Sequence, residues 1–398
     1  MRVLFLTHRL PYAPNRGDRI RAYHIVETLR RHVDLEVASL VHSADEMGHV
    51  AGMNRDGLIV SARRVSSTTN YLRAIPTLLG QRPLTHSLLH AGGFTALLED
   101  VVRERPPDVV LAFCSGMARF AVEPPLAGYP LVIDLVDVDS QKWADLVPAS
   151  SWPKRWVYAR EKDCLARFEQ LAASRAASTL VVNDREAQIL SALAPGASVR
   201  VIPNGIDVGS FRPTTPPANV ERVIFCGVMN YAPNVEGVQW FAREVWPQVR
   251  AARPHATFVI VGSDPIPAIR DLAASGTGIE VTGTVPSVQQ YLWNAAVSVA
   301  PLQVARGIQN KVLEALAAGL PTVVTPAVAE GLPSTARAGC HVAENAESFA
   351  RHTITLLALA PPARRAEANR ADLRSLGWEN QLAELPAILR NAVSKTGQ

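Results

Sequence analysis

The sequence predicts an α/β protein made of two doubly wound domains, each with a parallel sheet between layers of helices. Short apolar runs rich in Val, Ile and Leu alternate with helix-length segments along the chain. The runs lack strict polar alternation, which is typical of strands covered on both faces. Near the middle of the 398 residues a segment rich in Asn, Gly and Pro interrupts this pattern. One sheet on each side of that segment is therefore expected.

In the first half, six apolar runs predict strands, at residues 3–7, 35–40, 109–113, 131–135, 179–182 and 199–202. Helices are expected at 19–31 and 88–105. In the second half, strands are expected at 222–226, 257–261, 280–282, 297–300 and 322–325. Helices are expected at 235–253, 267–274, 288–295 and 308–318. This order predicts parallel strands joined by right-handed crossovers.

The domain boundary is predicted within 204–219, where Asn204-Gly205 is followed by Pro213, Pro216 and Pro217. The domains are then 1–205 and 206–378. A last helix, at about 379–393, either stays with the second domain or crosses back to the first. Ligands are expected in the loops after the strands, because parallel sheets bind them at their carboxyl ends.

Composition excludes several classes of protein. Hydrophobic residues make up 48% and charged residues 19%, which argues against disorder. The net charge of +4 is spread over both halves and predicts no nucleic-acid partner. The four cysteines are far apart in sequence and indicate reduced thiols. No apolar run is long enough for a signal peptide or a membrane span, so a cytoplasmic protein is predicted, with peripheral contact to the inner face of a membrane left open.

The strongest candidate site lies at 296–325, where a strand and a loop precede a helix. Gly307 is expected to open this helix, and Lys311 and Glu314 share one of its faces. A helix N-terminus attracts anions, and Arg306 and Lys311 would add two positive charges there. Glu314 could accept hydrogen bonds from ribose hydroxyls. The alternative is a solvated Lys–Glu pair on an amphipathic helix.

The loop after the first strand is the second candidate. Gly17 precedes a predicted helix, Asp18 stands in capping position, and Arg21 and His24 follow. The alternatives are a plain loop and cap for Gly17 and Asp18, and surface or packing roles for Arg21 and His24.

Three acidic residues at the end of a predicted strand form the third candidate: Asp134, Asp137 and Asp139. Asp137 could stabilise a positively charged transition state or accept a proton. The D-x-D spacing also suggests metal binding, which the doubly wound pattern disfavours. The structural alternative is capping of the next helix and pairing with Lys142.

The segment 151–175 combines basic residues with Trp152, Trp156, Tyr158, Leu165 and Phe168. Such a helix either contacts a membrane surface or packs on its own sheet.

Five segments resemble the group 1, or family 4, retaining glycosyltransferases, at 201–213, 225–241, 257–265, 281–292 and 311–324. The segments 5–24, 134–143 and 305–316 are most similar to the sugar transferases found with the exosortase protein-sorting system of exopolysaccharide producers. The resemblance implies the α/β GT-B fold, two Rossmann-like domains facing across a cleft.

The resemblance also implies roles for the residues. Glu314 matches the family's ribose-binding glutamate. Arg306 stands where the family has a glutamate that contacts the donor sugar, and Asp137 aligns with a histidine that does so. The loop 227–234 lacks the family's Arg and Lys, so Arg306 and Lys311 are expected to have taken over neutralisation of the diphosphate.

The expected substrate is therefore a nucleoside diphosphate sugar of UDP or GDP type, transferred with retention and without metal or cofactor to a carbohydrate, lipid-linked or small-molecule acceptor. Donor contacts are expected from the main chain and side chains of three loops, at Gly227 and Asn230, at Gly283, Thr284 and Val285, and at Gly307. The acceptor is expected near Gly17, Asp18, Arg21 and Asp137. A sugar-nucleotide epimerase and a catalytically degenerate scaffold subunit are the alternatives.

Overall fold

The computed structural model describes residues 1–12, 17–148, 150–214, 219–305 and 308–396, with residues 17, 18, 67, 68 and 396 described by their backbone alone. The chain forms two compact units. Unit 1 comprises Met1–Gly205 and Trp378–Gln398, and unit 2 comprises Ile206–Gly377. The chain therefore passes from one unit to the other twice.

Unit 1 is built on a parallel sheet of seven strands in the order β3-β2-β1-β4-β5-β6-β7. The strands are β1 Arg2–Thr7, β2 Asp34–Val41, β3 Ile59–Arg64, β4 Val109–Phe113, β5 Leu131–Val136, β6 Ser178–Val181 and β7 Val199–Val201. The strand order reverses direction between β1 and β4, which is the topological switch point of a doubly wound sheet.

Eleven helices of unit 1 lie in the described residues: α1 Gly17–Leu29, α2 Ala44–Arg55, α3 Ser67–Thr77, α4 Leu84–Leu88, α5 Phe94–Glu104, α6 Ser115–Ala121, α7 Asp139–Leu146, α8 Lys154–Arg175, α9 Asp184–Leu193, and, after unit 2, α20 Trp378–Gln381 and α21 Leu385–Thr396. The helix expected at 88–105 is shorter, because Gly93 takes a left-handed conformation (φ 74°) and α5 starts after it.

The central strands of unit 1 are buried on both faces, as the sequence predicts. Phe5 joins a cluster that contains Ile25 of α1 and Leu389 of α21. Its neighbour Leu4 joins the opposite cluster, with Phe94 of α5. Successive side chains of β1 thus enter two different hydrophobic cores, because strand residues alternate between faces.

The C-terminal residues belong to unit 1. Trp378 stacks on His24 with ring centroids 4.5 Å apart, and α21 packs over the sheet through the buried residues Leu385 and Leu389. The prediction of a single helix at 379–393 is wrong, because α20 and α21 are separate helices. Pro386 explains the break, because its ring would clash with the carbonyl four residues earlier in a continuous helix.

Unit 2 is built on a parallel sheet of six strands in the order β10-β9-β8-β11-β12-β13, with its switch point between β8 and β11. The strands are β8 Arg222–Cys226, β9 Thr257–Val261, β10 Ile279–Gly283, β11 Val297–Ala300, β12 Thr322–Val324 and β13 Cys340–Val342.

The helices of unit 2 in the described residues are α10 Val208–Phe211, α11 Ala232–Trp240, α12 Trp246–Ala252, α13 Pro267–Arg270, α14 Val288–Trp293, α15 Asn310–Ala317, α16 Pro326–Glu330, α17 Ser334–Arg337, α18 Ala346–Ala358 and α19 Pro361–Ala368. A π-helical turn at Phe241–Val245 separates α11 from α12. The sequence predicted one helix at 235–253. Pro247 has no N–H to donate, and a widened turn before it accommodates the missing bond.

Candidate functional site

Three glycines join the strand ends at the carboxyl edge of the unit 2 sheet. Gly227 follows β8, Gly262 follows β9, and Gly283 ends β10. Gly227 N–H donates to Val261 O (3.0 Å), and Gly262 N–H donates to Gly283 O (3.3 Å). A Cβ on Gly262 would lie 1.6 Å from Gly227 O. The three loops therefore form a continuous rim of main chain, which we call the glycine rim.

Lys311 of α15 reaches this rim at the sheet's switch point. Its Nζ donates to Asn234 Oδ1 at 2.6 Å and lies 4.5 Å from the ring centroid of Phe225. A Cβ built on Gly227 would lie 3.2 Å from the same Nζ. The Lys311 ammonium is therefore held against the loop 227–234, in which the sequence shows no cation of its own.

Asn234 is the residue that sequence reasoning missed. It is buried in the first turn of α11, and its Nδ2 donates to Val228 O at 2.9 Å. One amide thus fixes the loop through its nitrogen and Lys311 through its oxygen. A lone Asn after Pro233 carries no signal beyond loop or helix start, so the contact is visible only in three dimensions.

Burial affects the charges of this site. It lowers the pKa of Lys311 to about 8, although the nearby Glu314 opposes the shift. Burial also raises the pKa of Glu314, against the field of Lys311, and raises the pKa of the Cys226 thiol to about 12. An anion bound beside Lys311 would compensate the desolvated ammonium, so the geometry and the lowered pKa both suit a phosphate.

The helix that carries these residues starts later than predicted. α15 begins at Asn310 with Gln309 in the N-cap position, so Gly307 does not open it. Lys311 and Glu314 lie in its first and second turns, one turn apart, as their spacing predicted. Arg306 and Gly307 lie outside the described residues.

The other predicted donor contacts fall near the glycine rim. Asn230 is exposed in the loop after β8, beside Met229, whose N–H donates to Ser263 O at 2.8 Å. Thr284 is exposed after β10, and Val285 packs against the cluster that contains Val261. A surface runs from the end of β10 through Gly262 and Gly227 to Lys311.

In unit 1, Arg21 is not a surface residue. It is buried, and its Nε donates to Asp134 Oδ2 at 2.8 Å. Its Nη1 donates to Pro203 O (3.2 Å) and Asn204 Oδ1 (3.1 Å). Burial raises the pKa of Asp134, and Arg21 opposes that shift. The guanidinium thus ties β5 to the segment after β7. These contacts do not favour the predicted role of Arg21 in the phosphate loop.

Asp137 and Asp139 share one lysine. Lys142 Nζ lies 3.2 Å from Asp137 Oδ2 and 3.1 Å from Asp139 Oδ1. Ser115 Oγ also donates to Asp139 Oδ2 at 2.6 Å. The ammonium group occupies the place that the D-x-D reading would give to a metal ion. Asp137 remains 39% exposed and is the carboxylate open to a ligand.

Two strained residues lie at the carboxyl edge of the unit 1 sheet. Val136, at the end of β5, and Cys114, after β4, both have φ 67°. A positive φ is costly for any residue with a Cβ, and more so for a β-branched one. The strain at Val136 coincides with a register shift between β5 and β6, directly before Asp137. The backbone is thereby bent where the exposed carboxylate begins.

Gly17 is the first residue of α1, two residues before the predicted start. Asp18 therefore lies inside the first turn instead of capping it. The predicted amphipathic segment 151–175 divides in two: Leu165 is buried and Phe168 packs on His86, while Trp152 and Trp156 are exposed.

Family models match each unit separately. Residues 16–205 match the glycosyl transferase 4-like domain, and residues 220–359 match the glycosyl transferases group 1. Residues 1–15, 206–219 and 360–398 remain outside these matches. The chain belongs to the group 1 glycosyltransferases. Among curated proteins no sequence matches it significantly.

Solved structures share the fold of this glycosyltransferase. HepE of Anabaena in complex with UDP is 15% identical, covers 98% of this chain and 100% of its own, and superposes with a TM-score of 0.59. Sucrose-phosphate synthase of Thermosynechococcus elongatus is 14% identical and covers 99% of this chain and 100% of its own, with a TM-score of 0.62. A glycosyltransferase of Rickettsia africae is 10% identical over 98% of both chains, also at 0.62. The predicted α/β GT-B fold is confirmed.

In the part of the chain that the structure describes, no helix of this glycosyltransferase is both long and apolar enough to cross a membrane.

Proposed function

We propose that the protein transfers a sugar from a nucleoside diphosphate sugar to an acceptor, with retention and without a metal ion, and that unit 2 holds the donor. The observation that supports this most directly is the Lys311 ammonium, fixed by Asn234 beside the glycine rim at the switch point of the sheet. The UDP bound to the similar Anabaena structure supports a uridine or related nucleotide as the leaving group.

The chemistry assigned to Lys311 is electrostatic. As the glycosidic bond breaks, negative charge grows on the leaving diphosphate, and a cation already in place stabilises it without reorganisation. The glycine rim lets a diphosphate approach the main chain closely beside Lys311, because no Cβ stands in the way. Arg306 and Gly307 are proposed to add to this site, on the sequence alone, and Gly283, Thr284 and Val285 to bind the base.

For unit 1 we propose acceptor binding at the loop of Gly17 and at Asp137, whose carboxylate would accept the acceptor's proton or stabilise positive charge. The proposed acceptor is a carbohydrate, a lipid-linked molecule or a small molecule. Likeness of the segments 5–24, 134–143 and 305–316 supports membership of the exosortase-associated clade and a role in exopolysaccharide synthesis.

A thermal-shift panel of UDP, GDP, ADP and their sugars tests the donor class. A ligand at 100 times its Kd should add about 2.7 kcal/mol to the free energy of unfolding. Incubation of the stabilising sugar nucleotide alone then separates the alternatives, because an epimerase would convert it without any acceptor. Absence of stabilisation by every nucleotide would contradict the proposal.

Glu314→Ala should weaken donor binding by about 1.5–3 kcal/mol, because the ribose hydroxyls would lose their charge-assisted hydrogen bonds to the carboxylate. Isothermal titration with the nucleotide from the panel measures the loss. Glu330→Ala, at the end of α16, is the control and should bind normally. Unchanged affinity of a folded Glu314→Ala variant would remove Glu314 from the site.

Donor affinity should fall as the pH rises above about 8. Lys311 has a pKa of about 8 in the free protein, and a bound diphosphate would raise it. Between those two values the complex holds more protons than the free protein, so raising the pH favours dissociation, by up to about tenfold per pH unit. Lys311→Arg stays charged and should bind equally at pH 7 and 9. A steep fall in this variant as well would assign the pH dependence to another group.

Transfer activity should survive EDTA, because the Lys142 ammonium already forms ion pairs with both Asp137 and Asp139. Assays with and without added Mg²⁺ or Mn²⁺ measure this. A complete loss that either ion restores would revive the metal-binding interpretation of these two aspartates.

A further inference from the structure

A cavity of about 420 Å³ opens in unit 1 among α3, α4, α6 and α8. Four arginines line it against a single carboxylate: Arg73, Arg82, Arg119 and Arg167, with Glu123. None of the predicted donor and acceptor residues lines this cavity. Its charge favours an anionic ligand, because several positive charges converge on one concave surface.

Arg119 is fixed inside this arginine cavity. One Nη donates to His86 O and the other to Leu89 O at 3.0 Å, and the guanidinium stacks 4.3 Å over the Phe120 ring. Its Nε is buried without a hydrogen-bond partner among the described residues. Burial lowers the pKa of Arg119 to about 10, so it remains a cation at neutral pH.

His86 gives a second, independent indication of a ligand. It lines the cavity, is 8% exposed, and packs edge-on against Phe168. Its Nε2 is buried and makes no hydrogen bond within the described part of the chain. A buried polar atom without a partner is costly, and a phosphate oxygen in the cavity would satisfy it.

Beside the cavity, α3 and the residue two positions after its end expose an apolar stripe. Tyr71, Leu72, Ile75 and Leu79 are 68%, 70%, 60% and 94% exposed. Residues 71 and 75 are spaced four apart on α3, so they share one face of this helix. Large apolar side chains in a contiguous group mark a binding surface.

The stripe and the cavity are held together by α8. Arg160 Nε donates to Leu78 O at 2.9 Å, and its Nη2 donates to Arg82 O at 3.0 Å. Arg73 belongs to α3 itself and lines the cavity. An apolar face with arginines at its border is complementary to one kind of partner, the boundary between acyl chains and acidic headgroups.

We propose that this part of unit 1 docks on an anionic membrane, with a lipid phosphate in the arginine cavity and the α3 stripe at the acyl boundary. The inference goes beyond glycosyl transfer and does not depend on it, because it concerns a different surface and is tested by binding. It also gives a definite place to the membrane contact that the aromatic residues of 151–175 suggested.

Sedimentation with vesicles of phosphatidylcholine alone, or with phosphatidylglycerol added, tests the proposal on the full chain. The protein should sediment with the acidic vesicles. Arg73→Glu with Arg167→Glu should lower the partition coefficient roughly thirtyfold or more, from about 1 kcal/mol per arginine at the surface. Arg55→Glu with Arg200→Glu changes the net charge equally at exposed positions outside the cavity and should bind as the unmodified protein does.

The stripe and the headgroup site are tested separately. Leu72→Ser with Leu79→Ser should lower binding about tenfold or more by removing apolar area, whereas Ile59→Ser with Met47→Ser should not. Inorganic phosphate should raise the unfolding temperature of the protein by more than it raises that of Arg73→Glu with Arg167→Glu, because only the proposed donor site at Lys311 remains in the variant. The proposal would be overturned if the two double-arginine variants sedimented equally with acidic vesicles. It would also be overturned if the unmodified protein did not sediment with them. Stabilisation by phosphate without vesicle binding would overturn docking and leave only a soluble phosphate site.

Discussion

Replacing Lys311 by alanine should lower kcat about 10²- to 10³-fold in a protein that remains folded, the range for loss of one preorganised stabiliser of transition-state charge. The ammonium is held at 2.6 Å by Asn234 against the loop after β8. Charge on the leaving diphosphate is larger in the transition state than in the bound donor. The loss should therefore fall more on kcat than on KM.

The unfolding temperature separates this role from a structural one. Lys311 is a buried cation whose pKa is lowered to about 8, so the folded protein tolerates its charge at a cost. Lys311→Met keeps a side chain of similar length and removes the desolvated ammonium, so it should unfold at a temperature close to that of the unmodified protein, while losing activity as Lys311→Ala does. Lys154→Ala, an exposed lysine of α8, is the control. Loss of activity in proportion to loss of stability would mean that Lys311 only holds the loop.

Gly262→Ala should be the most destabilising substitution in unit 2, at about 3–5 kcal/mol, from the combined cost of overpacking and of an unfavourable φ. Its Cβ would lie 1.6 Å from Gly227 O, so the loops after β8 and β9 would have to separate. Because Lys311 is fixed against the first of these loops, donor binding should weaken as well.

Thermal unfolding should show a loss of about 10 °C for Gly262→Ala. Gly209→Ala is the matched control, since its Cβ would meet only Asp207 Oδ1 at 3.5 Å, an ordinary contact. An unfolding temperature within 2 °C of the unmodified protein would show that the two loops can move apart freely, and the glycine rim would lose its proposed role.

The sequence predicted the buried strands best. The bounds of β4, β8, β9 and β11 agree with the apolar runs, because a strand covered on both faces must be apolar along its whole length. The strands β3 and β13 were not predicted. Both lie at sheet edges, and Ile59 and Val342 there are exposed, so neither strand appears as an uninterrupted apolar run.

Side-chain contacts across the sequence were harder to predict. The spacing of Lys311 and Glu314 indicated a shared helix face, which local periodicity determines. The partner of Lys311 could not be found in this way, because Asn234 lies 77 positions away. A packing role for Arg21 was one of the alternatives, but its partner could not be found from the sequence, since Asp134 is 113 residues distant. Long-range pairing depends on topology, and periodicity carries no information about it.

The return of the chain to unit 1 has a consequence for biosynthesis. Leu385 and Leu389 are fully buried in the same core as Phe5, yet the ribosome makes them only after the whole of unit 2. Unit 2 is continuous in sequence and can fold as it emerges. One face of the unit 1 sheet lacks the helix α21 that packs on it until residues 378–396 leave the ribosome. The nascent N-terminal half should therefore expose apolar surface throughout translation of unit 2, and a chaperone that binds nascent chains should associate with it until α21 docks.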